Sequence, residues 1–344
     1  MIAVLVVDDS AVVRQTVREI LERAGGFSVV TAPDVPVARG RIAATRPDVI
    51  VLDIAMPGTD GLTFLSDLMS SNPIPVVICS ARIGEDAAVA LEALARGAVD
   101  VLSKPRVGVR DYLDDSAQLF VDSIRAAAGS RRAPSAAVHP GRLAVTEARR
   151  FAGAASWVIA MGASTGGTEA LAAIFATLPR SAPGVLVVQH MPRGFTRAFA
   201  KRLDRLSALD VREAETGDLV EPGVGLIAPG GRHLTVVERG DRLVARLEDS
   251  EHVNRHRPSA DVLFRSVAAS CGRRAVGVLL TGMGRDGAAG LLEMRRLGAR
   301  TLAQDEDTSV VFGMPREAIA LGAAERVVPL QSMTAGILEA LPEG

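Results

Sequence analysis

Ser164 stands in the run Met161-Gly162-Ala163-Ser164-Thr165-Gly166-Gly167, between Trp157-Val158-Ile159-Ala160 and Thr168-Glu169-Ala170-Leu171-Ala172-Ala173-Ile174-Phe175. The first flank reads as a buried strand and the second as a helix, so Ser164 falls on the sharp turn that joins them. Small neighbours leave its hydroxyl exposed. A Gly-x-Ser-x-Gly turn of this kind presents a nucleophile at the carboxyl edge of a sheet, with backbone N–H groups at the helix start able to hold an oxyanion. A glycine-rich turn also serves to cradle a phosphate or simply to pack, so Ser164 needs partners before it implies catalysis.

A serine nucleophile requires a base, and the chain has five histidines. His139 lies in a polar, proline-containing stretch, His233 follows Gly230-Gly231-Arg232, and His252 and His256 flank Asn254 and Arg255. His190 directly ends the apolar run Val185-Leu186-Val187-Val188-Gln189, which puts it at the same sheet edge as Ser164. It is the candidate base. The orienting acid is expected from a further strand end, where Val276-Gly277-Val278-Leu279-Leu280 leads into Thr281-Gly282-Met283-Gly284-Arg285-Asp286-Gly287. Asp286 either caps the next helix or holds the His190 imidazole in one tautomer and stabilises its cation. The chain order Ser, His, Asp departs from the Ser, Asp, His order of α/β-hydrolases and disfavours that fold. His252 and His256 do not form a zinc motif, because no Glu follows His252 and Arg255 and Arg257 would repel a cation. A basic lip facing carboxylates is the expected role of that segment.

A second constellation lies near the amino terminus. Asp8 and Asp9 follow Val4 to Val7, Asp53 follows Val49-Ile50-Val51-Leu52, Ser80 follows Val76 to Cys79, and Lys104 follows Val99 to Leu102 in a Ser103-Lys104-Pro105 turn. In a doubly wound sheet these strand ends line one crevice. Converging carboxylates need a cation, and oxygen ligands from Asp9, Asp53 and the carbonyl near Ala55 suit Mg²⁺. Such a site can take a phosphoryl group on Asp53, with Lys104 neutralising charge and the Ser80 hydroxyl donating to a phosphoryl oxygen. The plainer alternative is that the acids cap the helices that follow their strands.

The elements that must position these groups are legible as alternation. Residues 1 to about 120 alternate apolar runs at Val4 to Val7, Asp48 to Leu52, Val76 to Cys79 and Val99 to Leu102 with amphipathic helices, which predicts a parallel α/β domain over 1–122. The Ala-, Gly-, Ser-, Pro- and Arg-rich stretch that follows predicts a linker over 123–152. Strands at Trp157 to Ala160, Val185 to Gln189 and Ala275 to Leu280 predict a second α/β domain over 153–344. Within it, Leu234 to Leu247 alternates apolar and polar residues around Gly240-Asp241 and reads as an antiparallel hairpin added to the sheet.

With 344 residues, 48% hydrophobic and 23% charged, the chain has the composition of two ordinary globular domains. The net charge of −1 and the lack of a basic block give no attraction to nucleic acid. Met1-Ile2-Ala3-Val4-Leu5-Val6-Val7 lacks a basic leader and is stopped by Asp8-Asp9, so neither a signal peptide nor membrane insertion is expected, and the expected location is cytoplasmic. Cys79 and Cys271 have no paired spacing and read as buried thiols.

Val6-Val7-Asp8-Asp9-Ser10, Leu52-Asp53-Ile54-Ala55-Met56-Pro57-Gly58-Thr59-Asp60-Gly61-Leu62, Cys79-Ser80-Ala81 and Ser103-Lys104-Pro105 resemble, in order and placement, the response-regulator receiver domain. The resemblance implies a flavodoxin-like fold, phosphorylation of Asp53 by a histidine kinase, Mg²⁺ held by Asp8, Asp9 and Asp53, and Ser80 and Lys104 as phosphate partners. Val101 stands where receivers usually carry an aromatic residue, so aromatic gating is not expected. Gly162-Ala163-Ser164-Thr165-Gly166-Gly167, Gln189-His190-Met191-Pro192-Arg193-Gly194-Phe195-Thr196 and Leu280-Thr281-Gly282-Met283-Gly284-Arg285-Asp286-Gly287 are similar to the CheB family of chemotaxis protein-glutamate methylesterases. Arg193 stands where a second proline is common in that family. The resemblance implies Ser164, His190 and Asp286 as a triad that hydrolyses glutamate γ-methyl esters of methyl-accepting chemoreceptors, with no cofactor for that step. Backbone N–H groups of Thr165 and Met283 would form the oxyanion hole. The same acyl chemistry permits deamidation of receptor glutamine, and phosphorylation of Asp53 would relieve inhibition by the receiver. A second domain that acts only by docking, without catalysis, is the alternative.

Overall fold

Val4 to Val7, Val49 to Leu52 and Val76 to Cys79 are continuous apolar runs, and all are buried, as parallel strands covered by helices on both faces must be. In the computed structural model, which describes residues 1–56, 60–80, 85–105, 113–130 and 156–342, the chain forms two units, Met1–Ala137 and Val138–Gly344. The first unit holds strands β1 (Ile2–Val7), β2 (Phe27–Ala32), β3 (Val49–Leu52), β4 (Val76–Ser80) and β5 (Asp100–Ser103). Helices α1 (Ala11–Ala24), α2 (Val35–Ala44), α3 (Gly61–Ser71), α4 (Glu85–Ala95) and α5 (Leu113–Ala128) alternate with them. The strands are parallel in the order β2-β1-β3-β4-β5. The order reverses at β1, so the carboxyl ends of β1 and β3 flank a crevice. Side chains of Ser10, Asp34 and Asp60 cap α1, α2 and α3, which starts each helix just beyond its strand or loop.

Two sequence expectations change here. Strand β2 was not expected from its apolar content, because only its terminal Phe27 and Ala32 are buried, as befits an edge strand. The boundary at 122 falls inside α5, whose Phe120, Val121, Ile124 and Ala127 lie buried on one helical face and carry the first unit through Ala128. The remaining linker residues 131–152, with His139, lie outside the described residues, as do Pro57 to Thr59 and Ala81.

The second unit comprises β6 (Val158–Ala163), α6 (Gly167–Phe175), β7 (Gly184–Gln189), α7 (Phe195–Leu206), β8 (Asp210–Glu213) and β9 (Val224–Ile227). It continues through β10 (His233–Arg239), β11 (Arg242–Glu248), α8 (Ala260–Cys271), β12 (Ala275–Leu279), α9 (Ala288–Arg296), β13 (Arg300–Gln304), α10 (Met314–Ala320), β14 (Arg326–Val328) and α11 (Leu330–Glu339). A parallel sheet runs β14-β13-β12-β6-β7-β9-β8. Here the order reverses at β6, which lies between β7 and β12. The hairpin forms, with Gly240 at φ 63° in its two-residue turn, but β10 and β11 make a sheet of their own. The reason is topological: β9, the preceding strand, is already paired on both edges, by β7 and β8. Leu234 and Val236 of β10 instead join Leu263, Phe264 and Val267 of α8 in the core.

Helix α8 lies close to β6 and to α9 because a glycine in each leaves it room. A Cβ on Gly162 would fall 2.7 Å from the Cβ of Ala260, and one on Gly290 would fall 2.8 Å from the Cβ of Phe264. Among the described residues, no helix is long and apolar enough to cross a membrane. Phe264, fully buried at this contact, is expected to anchor the second unit. Phe264→Ala should cost about 3–5 kcal/mol. Urea unfolding followed by the fluorescence of Trp157, the single tryptophan, reads that unit directly. A loss below about 1 kcal/mol would show that the site tolerates collapse.

Candidate active site

Ser164 follows β6 without an intervening residue, and its amide donates to the Thr281 carbonyl at 3.0 Å, which ties the turn to the segment after β12. The turn closes through Gly167 N–H to Ser164 O at 2.7 Å, with Gly166 in the left-handed region at φ 77°. Gly167 admits no side chain, since a Cβ would sit 2.3 Å from Gln189 Oε1 and 2.6 Å from the Cβ of Ala163. Next door on β7, Gln189 Nε2 donates to Ser164 O at 2.8 Å and to His190 O at 3.2 Å. One buried amide therefore ties the main chain at the serine to that at the histidine. Thr165, 3% exposed, opens toward the start of α6, and Met283 follows Gly282, where a Cβ would fall 2.7 Å from that of Ser164. The backbone at both residues thus borders Ser164.

His190 Nε2 lies 2.7 Å from Asp286 Oδ2, with the two side chains 6% and 1% exposed. The carboxylate accepts four further hydrogen bonds, from Ser259 Oγ at 2.6 Å, Ala260 N at 2.7 Å, Asn254 Nδ2 at 2.8 Å and Asp261 N at 3.4 Å. Burial opposes its ionisation, but the pairing with His190 and the donors from Ser259 and Asn254 outweigh it and hold the carboxyl well below the usual carboxylate range. The two alternatives for Asp286 merge: it caps a helix, but the helix is α8, while α9 begins at Gly287 with no side-chain cap. Since Asp286 holds Nε2, Nδ1 is the ring nitrogen that His190 has left, and that atom is buried without a hydrogen-bond partner, the Ser164 hydroxyl included. Contacts between nucleophile and base often close only when substrate is seated.

Several residues around this triad escape a sequence reading. Asn254 and Arg255 adopt φ 52° and 67°, and the turn they form sends Asn254 to Asp286 and His256 onto His190. The two imidazoles stack with centroids 3.6 Å apart and planes 7° from parallel. His256 therefore faces inward, whereas a place on a basic lip was expected of it; His252 and Arg255 are exposed. His233 is buried, accepts from Ser259 N at Nδ1 and pairs through Nε2 with the Glu251 carbonyl, so it braces the start of α8. The only advance signal for these residues was their polarity within a short irregular stretch.

The first unit gathers its expected residues at the carboxyl ends of β1, β3, β4 and β5. Lys104 Nζ lies 2.7 Å from Asp8 Oδ2 and 2.6 Å from Asp53 Oδ2, and the two acids are 1% and 3% exposed. Ser80 ends β4, buried, and Ala55 N–H donates to Asp53 Oδ1 at 3.0 Å. Burial raises the Asp8 carboxyl above its ordinary range despite the ammonium. Burial works against the Lys104 ammonium too, yet its bonds to Asp53 and Asp8 raise its pKa. Oxygens of Asp8, Asp9 and Asp53 lie within 4.8 Å of one another, and Lys104 is the ammonium that pairs with Asp8 and Asp53. An all-oxygen set of three carboxylates against one ammonium fits Mg²⁺. Val101 is buried, an aliphatic side chain within the core.

Comparison with known proteins follows the two units. Residues 159–337 match the family model for CheB methylesterase and residues 4–110 that for the response regulator receiver domain. A protein of Anaeromyxobacter dehalogenans named protein-glutamate methylesterase/protein-glutamine glutaminase 1 is 53% identical, over 97% of this chain and 98% of its own. A Bordetella bronchiseptica protein named protein-glutamate methylesterase/protein-glutamine glutaminase is 51% identical, over 99% of this chain and 97% of its own. The crystal structure of the Thermotoga maritima CheB methylesterase catalytic domain is similar with TM-score 0.52 and 38% identity, covering 53% of this chain and 97% of that one.

The donor set around Asp286 makes a pH-dependent prediction. Asp286→Asn should cost about 1–3 kcal/mol at pH 7, because an amide nitrogen then faces donors in a buried site. The folded carboxyl titrates below its unfolded value of about 3.9, so the carboxylate's contribution is complete above about pH 5, declines steadily as pH falls below about 4 and is lost only as pH passes the lower folded value. Urea titrations between pH 7 and 3 should show a constant gap between wild type and variant down to about pH 5 and a narrowing gap below it. A gap that widens on acidification would contradict an ionised Asp286.

Proposed function

We infer that this chain, which belongs to the CheB methylesterase family and carries a response regulator receiver domain in its first unit, is a phosphorylation-controlled protein-glutamate methylesterase. The observation that carries the catalytic reading is the buried His190–Asp286 pair beside the Ser164 turn. A second unit that only docks would have no use for a buried anion held against a base, and the naming of the relatives favours catalysis as well.

In the proposed reaction Ser164 Oγ attacks the carbonyl of a glutamate γ-methyl ester on a methyl-accepting chemoreceptor while His190 Nδ1 takes the hydroxyl proton. Asp286 stabilises the imidazolium through Nε2. The oxyanion is held by the backbone N–H groups of Thr165 and Met283, with the start of α6 adding its positive end. Collapse expels methoxide, which takes the proton from His190 and leaves as methanol. A water activated by the same nitrogen then hydrolyses the glutamyl-serine ester and restores the enzyme. A glutamine amide enters the same cycle with ammonia as leaving group, in keeping with the glutaminase in the relatives' names.

Control enters through Asp53, whose carboxylate accepts a phosphoryl group from a histidine kinase and thereby relieves inhibition by the receiver. Asp8, Asp9 and Asp53 would hold Mg²⁺, which supplies charge neutralisation at the phosphoryl oxygens. Lys104 and Ser80 bind the phosphoryl oxygens once they are in place.

Methanol release from receptor membranes carrying labelled methyl esters tests the chemistry. Ser164→Ala should lose at least about 10³-fold in turnover, and retained activity would exclude Ser164 as nucleophile. A small-molecule phosphodonor with Mg²⁺ should raise methanol release by wild type, with no rise for Asp53→Asn or after chelation of the metal. A rise in Asp53→Asn equal to that in wild type would remove Asp53 from the switch.

A further inference from the structure

His256 has no part in the reaction above, yet it covers one face of the base. Its ring lies 3.6 Å from that of His190 and within 7° of parallel. The segment that carries it is specified closely. Val253 and His256 exchange both backbone hydrogen bonds, at 3.1 and 2.9 Å, around a two-residue turn whose Asn254 and Arg255 are both left-handed, a conformation that costs a non-glycine residue energy. Asn254 is anchored in turn on Asp286 Oδ1 and on Asp261 Oδ2, each at 2.8 Å. The turn thus delivers one side chain to the acid and another to the face of the base.

We propose that His256 is a positioning residue for His190: its imidazole, stacked as a flat, uncharged plate, fixes the ring plane in which Nδ1 meets the serine while Asp286 holds Nε2. A single hydrogen bond to Asp286 leaves the His190 ring free to rotate about that bond, and a parallel plate removes this freedom. The plate must stay neutral, because a second cation would oppose protonation of the base. The groups that face His256 are His190, Asp286, His252 and Arg255; burial and the His190 charge push its imidazole down to about 3, with Asp286 opposing them. It is therefore uncharged throughout the neutral range, including when His190 carries the serine proton.

This inference rests on His190 being the base, and the experiment separates the two. Methanol release is measured over pH 5 to 9 for His190→Ala, His256→Ala, His256→Leu and His256→Phe in the full chain, with folding checked by Trp157 fluorescence. His256→Phe retains a flat ring and should keep kcat within about 3-fold, whereas His256→Leu fills the volume without a flat face and should lose about 10- to 100-fold in kcat with little change in KM. His256→Ala should behave as His256→Leu, and if it does not fold the Leu and Phe pair decides the matter. A wild-type kcat in folded His256→Leu would overturn the proposal. So would a loss in His256→Phe as large as in His256→Leu, which would mean that a ring nitrogen and not the ring face is needed. Activity surviving in His190→Ala would instead overturn the assignment of the base.

Discussion

The second unit is organised around one buried anion. Asp286 is 1% exposed and accepts from five donors that come from His190 just after β7, from the Asn254 turn, from Ser259 and from the first amides of α8. A buried carboxylate in a low-dielectric interior is tolerable only with such compensation, so each of these segments is fixed relative to the others by the same charge. The approach of α8 to β6, which Gly162 allows, and to α9, which Gly290 allows, is what brings its amino-terminal amides within reach. His233 extends the arrangement outward by accepting from Ser259 N, the residue whose hydroxyl serves Asp286. Packing, helix capping and orientation of the base are consequences of one constraint.

The first unit solves a related problem with the opposite balance. Asp8 and Asp53 share a single ammonium, Lys104, and Asp9 lies beside them, so this cluster is short of positive charge where Asp286 is fully served. The difference suits the two roles proposed for these sites. An acid that must remain ionised and fixed gathers all its donors from the protein, whereas one that must accept an incoming phosphoryl group keeps oxygens available for a metal and for the transfer. Both sites occupy a reversal of strand order, at β1 and at β6, where carboxyl ends of neighbouring strands open a crevice.

That placement explains what could be read from the sequence. Ser164, His190 and Asp53 each follow an apolar run that is buried on both faces, and such runs announce both the strand and the residue at its end, whereas Lys104 follows the edge strand β5, in which only Val101 is buried. Edge elements are harder, because β2 buries only its two terminal residues and β14 is three residues long. The hairpin was visible as alternation, but its separation from the main sheet depends on β8 having taken the free edge of β9, a long-range fact with no local signature. Asn254, His256 and Ser259 were opaque for another reason. They lie on irregular backbone whose left-handed turn reverses the direction in which side chains point, so spacing along the chain carries no information about which of them turns inward. Polarity beside Arg255 and Arg257 pointed to a surface, and the structure lays the histidine between them, half-buried, against the ring of His190.

The strength of the Asp286 donor set also decides where the catalytic proton can go. A carboxyl held well below the usual range is too weak a base to take a proton from an imidazolium, whose ordinary pKa is about 6.5. In the proposed cycle the proton taken from Ser164 sits on His190 Nδ1 while the Nε2 proton stays on the ring, and Asp286 would act by fixing the ring through Nε2 and by offsetting its charge. Retention of the Nε2 proton matters most at collapse of the tetrahedral intermediate, since a ring that passed it to the carboxylate would be a neutral imidazole, a far weaker acid toward the departing group. Methoxide, and to a greater degree the nitrogen of an amide, is a poor leaving group unless protonated as it departs. An anion saturated with donors is thus a condition for the same imidazole to serve first as base and then as acid, for ester and amide alike.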